Sequence, residues 1–293
     1  MKVIDLRSRP PYKTFAQDFI YDADYLEMIY GKSQYDRKVP KSALNKSMDD
    51  FIAEKEAAGV ERCVVPIRGK RAETDNQLVV ELLNEYPNHF IGMAAISMPG
   101  QDIQRDLDII RQYVIDGPCT GINMEPILDA NIYSMDDEKI YPIYEICEKN
   151  DIPLLYTSGG VAHGVKAPFD FSMMSPMKIE HVCYDFPKLK IIAAHAGWPW
   201  TILMCAAALK WDNLYISPDC YLMEGIGRQN YVDAINRYDM LDKVMFGTVY
   251  PTYDMQWAID YYKNCGIRED ALPKLLYENA ARVFKLDKMA CDN

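Results

Sequence analysis

The sequence predicts a single (β/α)8 barrel, and three observations support this fold class. Short apolar segments alternate with longer segments of helical periodicity along most of the 293 residues, as expected for parallel strand–helix–strand units. Eight such units fit within about 250 residues, the usual length of a closed barrel. Long segments follow the first and the fifth predicted strand, at the carboxyl-terminal face where barrel active sites lie.

Eight short apolar segments are predicted to be the barrel strands. In chain order they are residues 2–6, 61–66, 90–96, 120–123, 152–156, 190–194, 213–217 and 244–247. Three of them begin after a short polar turn that ends a helix, a pattern typical of alternating helices and strands. These turns are Ala58-Gly59, Lys149-Asn150-Asp151 and Phe186-Pro187-Lys188.

Helical periodicity fills the intervals between the strands. The predicted helices are residues 47–58, 75–86, 101–115, 136–149, 175–185, 198–210, 227–237 and 253–265. An extra helix over residues 271–285 is expected to follow the barrel. Residues 191–209 are apolar enough to suggest a membrane span, but His195, Gly197 and Pro199 interrupt them. The interruption favours a strand followed by a helix.

Two segments are too long to be plain connections. Residues 10–45 follow the first strand and residues 159–172 follow the fifth, and we expect both to cover the site or bind ligand. His163 lies on the second segment and could reach a ligand, although an exposed loop histidine is the simpler interpretation. No repeat or linker interrupts the pattern, so residues 1–293 are expected to form one domain.

The composition narrows the classes of partner and compartment. A formal net charge of −11 makes nucleic acid and anionic membranes unsuitable partners. The eight cysteines show no CxxC pair, as expected for reduced, buried thiols, and no secretion signal is recognised. We therefore expect a cytoplasmic protein. Association into a homo-oligomer stays open.

Two arginines directly after the first strand are the most informative side chains. Arg7 and Arg9 are two residues apart, so on an extended strand they point the same way, with Asp5 on the same side further in. Two fixed guanidinium groups suit an anionic ligand, typically a carboxylate or phosphate. Their position alone fits two surface arginines with carboxylate neighbours equally well.

Other strand ends carry candidate catalytic groups. His195 follows the sixth strand and precedes a glycine turn, a position suited to a general base or a metal ligand. Glu125 and Asp219 follow the fourth and seventh strands. Each carboxylate is expected either to act as a general base or to pair with Arg7 or Arg9.

Four further side chains are candidates for substrate binding. Thr157 directly follows the fifth predicted strand, and Trp198, Tyr221 and Tyr250 are aromatic residues close to strand ends. Packing of the barrel is the alternative role for the aromatic residues. The sequence contains no His-x-His, HExxH or cysteine spacing typical of a metal site. It also lacks a P-loop, a GxGxxG motif and a GxSxG nucleophile elbow.

Four segments taken in order resemble the amidohydrolase superfamily. They are Val-Ile-Asp-x-x-x-x-Pro (3–10), Ile-Ile-Ala-Ala-His-Ala-Gly-Trp-Pro (191–199), Met-Phe-Gly-Thr-x-Tyr-Pro (245–251) and Glu-Asn-Ala-Ala-Arg-Val-Phe (278–284). The chain is most similar to the amidohydrolase-related branch that includes aminocarboxymuconate-semialdehyde decarboxylase and pyrone-dicarboxylate lactonase. The resemblance implies a (β/α)8 barrel, in agreement with the strand pattern.

The departures from that family pattern concern its metal site. The family has His-x-His where this chain has Arg7 and Arg9, a histidine at Thr157 and an aspartate at Val249. Arginine is permanently protonated and valine has no donor atom, so these residues cannot bind the metal in the usual way. The family histidine that assists water or proton transfer is retained as His195.

These replacements lead to several functional expectations. The first is a metal-independent hydrolase, with a lactonase as one form of it. In this enzyme the arginines bind a small carboxylated substrate, and His195, Asp219 or Glu125 is the base. A decarboxylase or other carbon–carbon lyase acting on an aromatic or enol acid is the alternative, and a non-catalytic anion-binding barrel is a third. No metal cofactor is expected, although a divalent-metal site relocated to Glu125, His195 and Asp219 stays open.

Overall fold

A computed structural model describes residues 1–67, 72–125, 133–160 and 171–286. These residues include seven parallel strands, each paired with the next, so their order in the sheet is their order in the chain. The strands are β1 (Val3–Asp5), β2 (Val60–Pro66), β3 (Phe90–Ala95), β4 (Gly121–Met124), β5 (Leu154–Thr157), β6 (Ile191–Ala194) and β7 (Leu214–Ser217).

The predicted eighth strand, residues 244–247, forms an irregular closing segment instead of a regular strand. The Met245 amide donates to the Ile216 carbonyl of β7 (2.9 Å), and the Phe246 carbonyl accepts from the Leu6 amide beyond β1 (3.0 Å). The Phe246 amide, however, donates to Leu275 in the C-terminal helical region (2.9 Å). The segment therefore closes the barrel, but its hydrogen bonds are divided among three partners.

Helices surround the strands, and two of them fold within the first long segment. They are α1 (Ala23–Gly31), α2 (Lys41–Asn45), α3 (Met48–Ala57), α4 (Ala72–Glu85), α5 (Ile103–Ile110), α6 (Tyr141–Lys149), α7 (Pro176–Asp185), α8 (Thr201–Lys210), α9 (Cys220–Met223), α10 (Arg228–Arg237), α11 (Met255–Asn264) and α12 (Asn279–Val283). The fold class is therefore the predicted barrel.

Some predicted helix boundaries are wrong. The helix predicted over residues 198–210 begins only at Thr201, because the Trp198 and Trp200 amides first form a tight turn with the carbonyls of His195 and Gly197 (3.1 and 2.7 Å). The helix predicted over residues 101–115 changes after Ile110 into a π-helical turn (Arg111–Ile115). The extra helix consists of a π-helical turn (Lys274–Glu278) followed by α12.

The buried apolar side chains form two sets, one inside the barrel and one between the strands and the surrounding helices. The inner set comes from alternate strand positions and includes Ile4, Val64, Met93, Leu155 and Ile192. Side chains of α12 pack against this inner set. The larger set lies between the strands and the surrounding helices, so the strands are buried on both faces, as is usual for parallel sheets.

The first long segment is folded onto the residues that follow the closing segment. The Tyr30 hydroxyl donates to the Pro251 carbonyl (2.8 Å). The buried guanidinium of Arg37 donates to the Thr252 carbonyl (3.0 Å) and to the Glu224 carboxylate (3.1 Å). These bonds hold the segment over the carboxyl-terminal face. Most of the second long segment, including His163, lies outside the described residues.

Neither membrane spans nor disulfides occur in the described part of the chain. Every helix there is too short or too polar to cross a bilayer, and the apolar region over residues 191–209 divides into β6 and α8, as predicted. The seven described cysteines are free thiols, five of them buried and two half-buried.

A buried carboxylate joins the end of β1 to the residue that follows the closing segment. Asp5, at the end of β1, accepts hydrogen bonds from the amides of Thr248 (2.9 Å) and Arg7 (3.1 Å) and from the Thr248 hydroxyl (2.5 Å). Burial raises the pKa of Asp5 to about 6, although these hydrogen bonds act in the opposite direction. Asp5 thus fixes the chain direction just before the arginine pair.

Burial of Asp5 predicts a distinct pH dependence of stability. Between pH 3.8 and about 6 the folded protein retains a proton that the unfolded chain has released, so Asp5 makes the free energy of unfolding fall as the pH rises. The fall is on the order of 3 kcal/mol, at about 1.4 kcal/mol per pH unit. Asp5→Asn removes the titrating group and therefore this contribution.

The test is urea denaturation of wild type and Asp5→Asn across this pH range. We expect the free energy of unfolding of wild type, relative to that of the variant, to decrease as the pH rises. Asp239→Asn, whose side chain is 77% exposed, is the control. A difference between wild type and Asp5→Asn that does not change with pH contradicts burial as the dominant influence on Asp5.

Candidate active site

The candidate site is assembled from the carboxyl ends of successive strands. In a parallel barrel these ends meet at one face, which is why side chains far apart in sequence become neighbours. The contributing residues are Arg7 and Arg9 after β1, Glu125 after β4, Thr157 at the end of β5, His195 after β6 and Asp219 after β7.

A single carboxylate bridges the two arginines. Arg7 Nη2 donates to Glu125 Oε1 (3.0 Å), and Arg9 Nη2 donates to Glu125 Oε2 (2.8 Å). The side chains of Arg7, Arg9 and Glu125 are 1%, 7% and 5% exposed. Two positive charges and one negative charge are therefore buried together. We call this group the arginine–glutamate bridge.

Arg7 is held on both sides. Its Nη1 donates to the Thr157 hydroxyl at the end of β5 (3.2 Å), while its Nη2 is bound to Glu125. The Arg7 amide is bound to Asp5. Arg7 therefore spans the mouth of the barrel from β1 to β4 and β5 and fixes the position of Glu125.

His195 and Asp219 form a second polar pair. His195 Nδ1 lies 2.8 Å from Asp219 Oδ1, and the His195 amide donates to Asp219 Oδ2 (3.2 Å). The Cys220 amide donates to Asp219 Oδ1 (2.6 Å). Burial acts to raise the pKa of Asp219, but the charge and hydrogen bond of His195, together with the charge of Arg7, outweigh burial and lower it. Asp219 is thus held as an anion that orients the imidazole.

The backbone around His195 has an unusual shape. His195 and Ala196 have φ values of 62° and 41°, in the left-handed region that few non-glycine residues adopt. Ser158 supports this turn, because its hydroxyl donates to the Ala194 carbonyl (2.9 Å) and accepts from the Gly197 amide (3.1 Å). Such conformations persist where the surrounding structure enforces them, and they are concentrated at functional sites.

Two glycines let the groups of the site approach one another. A Cβ atom on Gly247 would lie 3.4 Å from Asp219 Cβ and 3.7 Å from Arg7 Cβ, so the histidine–aspartate pair adjoins the arginine–glutamate bridge. A Cβ atom on Gly159 would lie only 2.2 Å from His195 Cβ. Glycine at position 159 therefore allows β5 and the His195 turn to pack together.

An aromatic wall borders His195. The Trp198 and Tyr221 rings are stacked with centroids 4.8 Å apart, and the Tyr221 ring meets the imidazole edge to face at 5.4 Å. The Tyr221 hydroxyl donates to the Gly160 carbonyl. Trp198 Nε1 donates to the Ile226 carbonyl (3.1 Å). Both aromatic candidates therefore stand beside the histidine.

Tyr250 extends toward a different part of the barrel. Its hydroxyl is hydrogen-bonded to Ser42 on α2, and its ring meets Phe51 of α3 edge to face at 5.1 Å. Val249, with a φ of 57°, precedes it, so the chain turns sharply just before Tyr250. The structure places this side chain against α2 and α3.

Sequence reasoning missed two features of the site. Thr248 was not identified as the partner of Asp5, and Cys220 was not identified beside the histidine, where its Sγ lies 3.8 Å from His195 Nδ1. Among the described residues, His195, Asp219 and Cys220 are the group of potential metal ligands whose ligand atoms lie within 4.8 Å of one another. Glu125 belongs instead to the arginine–glutamate bridge. The position of Cys220 directly after Asp219 was the available signal.

Comparison with known proteins identifies related folds. An amidohydrolase family model matches residues 43–286. An uncharacterised TIM-barrel protein from Bordetella bronchiseptica is 29% identical, with a TM-score of 0.85, and the match covers 97% of this chain and 99% of that one. No curated protein matches the chain in sequence.

Two decarboxylase structures share the fold at lower identity. The 2,6-dihydroxybenzoate decarboxylase from Rhizobium is 18% identical, with a TM-score of 0.72, and 98% of this chain and 99% of that chain are covered. The dihydroxybenzoic acid decarboxylase from Polaromonas is 17% identical, with a TM-score of 0.69 and coverage of 98% and 97%; that structure contains manganese and 2-nitroresorcinol. At these identities the likeness is one of fold.

The residues at the expected metal positions do not fit a divalent cation. Arg7 and Arg9 are cations themselves, and the hydroxyl of Thr157 already accepts a hydrogen bond from Arg7. Val249 offers no donor atom. A divalent ion placed among these four side chains would meet two positive charges and one weak oxygen ligand from them, while the neighbouring Glu125 carboxylate is already bound to both arginines.

The close approach at Gly159 predicts that Gly159→Ala destabilises the protein. The added methyl would overlap His195 Cβ, so the His195 turn or β5 must shift, at a cost of about 1–3 kcal/mol or more. Gly31→Ala is the matched control, because nothing lies within 4 Å of a Cβ at that position. The measurement is thermal unfolding of both variants. Equal melting temperatures contradict the packing described for His195.

Proposed function

The chain belongs to the amidohydrolase family, and from this premise we propose that it decarboxylates a small carboxylic acid by metal-independent acid–base catalysis. Family membership and the related folds indicate an enzyme of the amidohydrolase superfamily. The observation that carries the proposal is the 2.8 Å contact between His195 and Asp219 beside two buried arginines.

His195 is proposed to move the proton. Because Nδ1 is bound to Asp219, the tautomer with the proton on Nδ1 is favoured and Nε2 remains for the substrate. The Asp219 carboxylate also stabilises the imidazolium, so His195 can carry a proton and release it to carbon. Asp219 acts through His195 and is a positioning residue.

The arginines are proposed to stabilise the developing negative charge. Arg7 and Arg9 carry two positive charges against the single charge of Glu125, so the bridge has a net positive charge. Fixed cations in a buried site stabilise an enolate or phenolate oxygen more strongly than water does. They thereby supply the electrostatic role that a metal ion serves elsewhere.

The proposed reaction balances without a further reactant. With the enol or phenol oxygen of the substrate bound as an anion near the arginines, a proton from His195 adds to the carbon that carries the carboxylate, and the oxygen becomes a carbonyl. The bond between that carbon and its carboxylate then breaks, carbon dioxide leaves, and the electron pair re-forms the double bond and returns the negative charge to the oxygen. Solvent restores the proton on His195. Trp198 and Tyr221 would pack against a planar substrate.

Hydrolysis, which the sequence favours, is the second candidate. The same contact between His195 and Asp219 would let the imidazole take a proton from water as the water attacks a lactone or ester carbonyl. We place decarboxylation first because decarboxylases are prominent among the related folds. Ligand binding without turnover would exclude both reactions and support the third candidate, a non-catalytic anion-binding barrel.

One experiment distinguishes these reactions. Purified protein is incubated with hydroxybenzoic acids, β-keto or enol acids and lactone carboxylates, in deuterium oxide or in water enriched in oxygen-18. Decarboxylation predicts carbon dioxide release with one deuterium on the carbon that lost it. Incorporation of oxygen-18 into a ring-opened acid contradicts decarboxylation and supports hydrolysis.

Substitution of the histidine–aspartate pair tests the proposed proton transfer. His195→Asn and Asp219→Asn are each expected to lower kcat by roughly 10²- to 10⁴-fold, with a smaller change in KM, because the arginines remain. His181→Asn is the matched control, since His181 is exposed and lies 3.2 Å from Asp136 in an equivalent pair. Wild-type kcat in a folded His195→Asn variant contradicts the assignment.

A further inference from the structure

We infer that the Glu125 carboxylate occupies the position at which a substrate carboxylate binds, so that the protein carries its own internal ligand between Arg7 and Arg9. The inference rests on the proposed function for the class of ligand, a carboxylate. It assigns Glu125 a role in selecting substrate instead of the role of a base.

The geometry of the arginine–glutamate bridge is that of a carboxylate-binding site. Each oxygen of Glu125 accepts from a different guanidinium, at 3.0 Å from Arg7 and 2.8 Å from Arg9. Nothing in these two bonds depends on the rest of the glutamate side chain. Any carboxylate presented at the same place makes the same charge-assisted hydrogen bonds.

Because the bridge is buried, a ligand cannot bind the two arginines while Glu125 is still bound to them. Arg7 is 1% and Arg9 6% exposed while Glu125 is bound. Removing one partner of a buried ion pair without replacement is strongly destabilising, because the other charge is left buried and unpaired. Exchange of the Glu125 carboxylate for a substrate carboxylate avoids this penalty, because the two arginines stay neutralised to the same degree.

The backbone allows the glutamate to move and keeps Arg7 in place. Glu125 follows Met124, the last residue of β4 that pairs with β5, so rotation of its side chain breaks no bond of the sheet. Arg7, in contrast, is fixed by Thr157 and by the bond from its amide to Asp5. Exchange of the anion therefore leaves the sheet and the position of Arg7 unchanged.

Arg9 is fixed through its backbone. Its amide donates to the Tyr250 carbonyl (3.2 Å), and its carbonyl accepts from the Tyr21 hydroxyl (2.5 Å). With both arginines in place, an incoming carboxylate meets a site already shaped for it. The internal ligand reduces the apparent affinity to the intrinsic affinity multiplied by the fraction of time that the site is free.

The experiment measures binding of a simple carboxylate without turnover. Malonate is titrated calorimetrically into wild type, Glu125→Gln and Glu125→Asp. Glu125→Gln keeps the size and removes the charge, and we expect malonate to bind at least about tenfold more tightly. Glu125→Asp, with a carboxylate one methylene shorter, is expected to lie between the two.

Two further variants control the interpretation. Glu224→Gln removes the carboxylate from another buried arginine, Arg37 (3.1 Å), and is expected to bind malonate as wild type does. Arg9→Gln added to Glu125→Gln is expected to abolish the gain. If Glu125→Gln does not fold, Glu125→Asp and its melting temperature in rising malonate provide the same comparison.

Several outcomes overturn the inference. They are unchanged or weaker malonate binding in both Glu125 variants, absence of binding in all proteins, and a gain that persists after Arg9→Gln. Because no turnover is involved, failure here leaves proton transfer by His195 untouched. Equally, the inference about Glu125 can hold if the protein proves to be a hydrolase, because malonate binding does not depend on the type of reaction.

Discussion

Two guanidinium groups and one carboxylate are buried together at the mouth of the barrel, and the rest of the site is arranged around that requirement. Buried charges need partners, because their removal from water costs several kcal/mol each. Glu125 supplies the partner for both arginines, Thr157 accepts from Arg7, and Asp5 fixes the chain that carries them. The histidine–aspartate pair then lies beside a fixed field of positive charge.

Most of the fold could be predicted because it depends on burial, which leaves a pattern in the sequence. Strands buried on both faces are continuous apolar segments, and β1 to β7 were all identified in this way. The closing segment could not be predicted as irregular, because its hydrogen bonds depend on where Leu275 lies in space. The start of α8 depends likewise on a turn formed by His195 and Gly197.

The candidate site could be located from the sequence, but its pairing could not. Residues at strand ends meet at one face in any parallel barrel, so Arg7, Glu125, His195 and Asp219 were expected there. Which carboxylate reaches which cation depends on side-chain directions across the ring. Glu125 pairs with the arginines and Asp219 with His195. Tyr250, which follows the left-handed Val249, contacts Ser42 on α2 and Phe51 on α3, and the sequence alone does not show these contacts.

We propose that the guanidinium groups of Arg7 and Arg9 take the place of the metal ion that a structurally related decarboxylase contains. The most direct measurement is calorimetric titration of Mn²⁺ into chelated wild type, beside the variant Arg7→His/Arg9→His/Thr157→His/Val249→Asp. Our account predicts no stoichiometric binding to wild type and measurable binding to the variant. Tight binding of one equivalent of Mn²⁺ to wild type would contradict it.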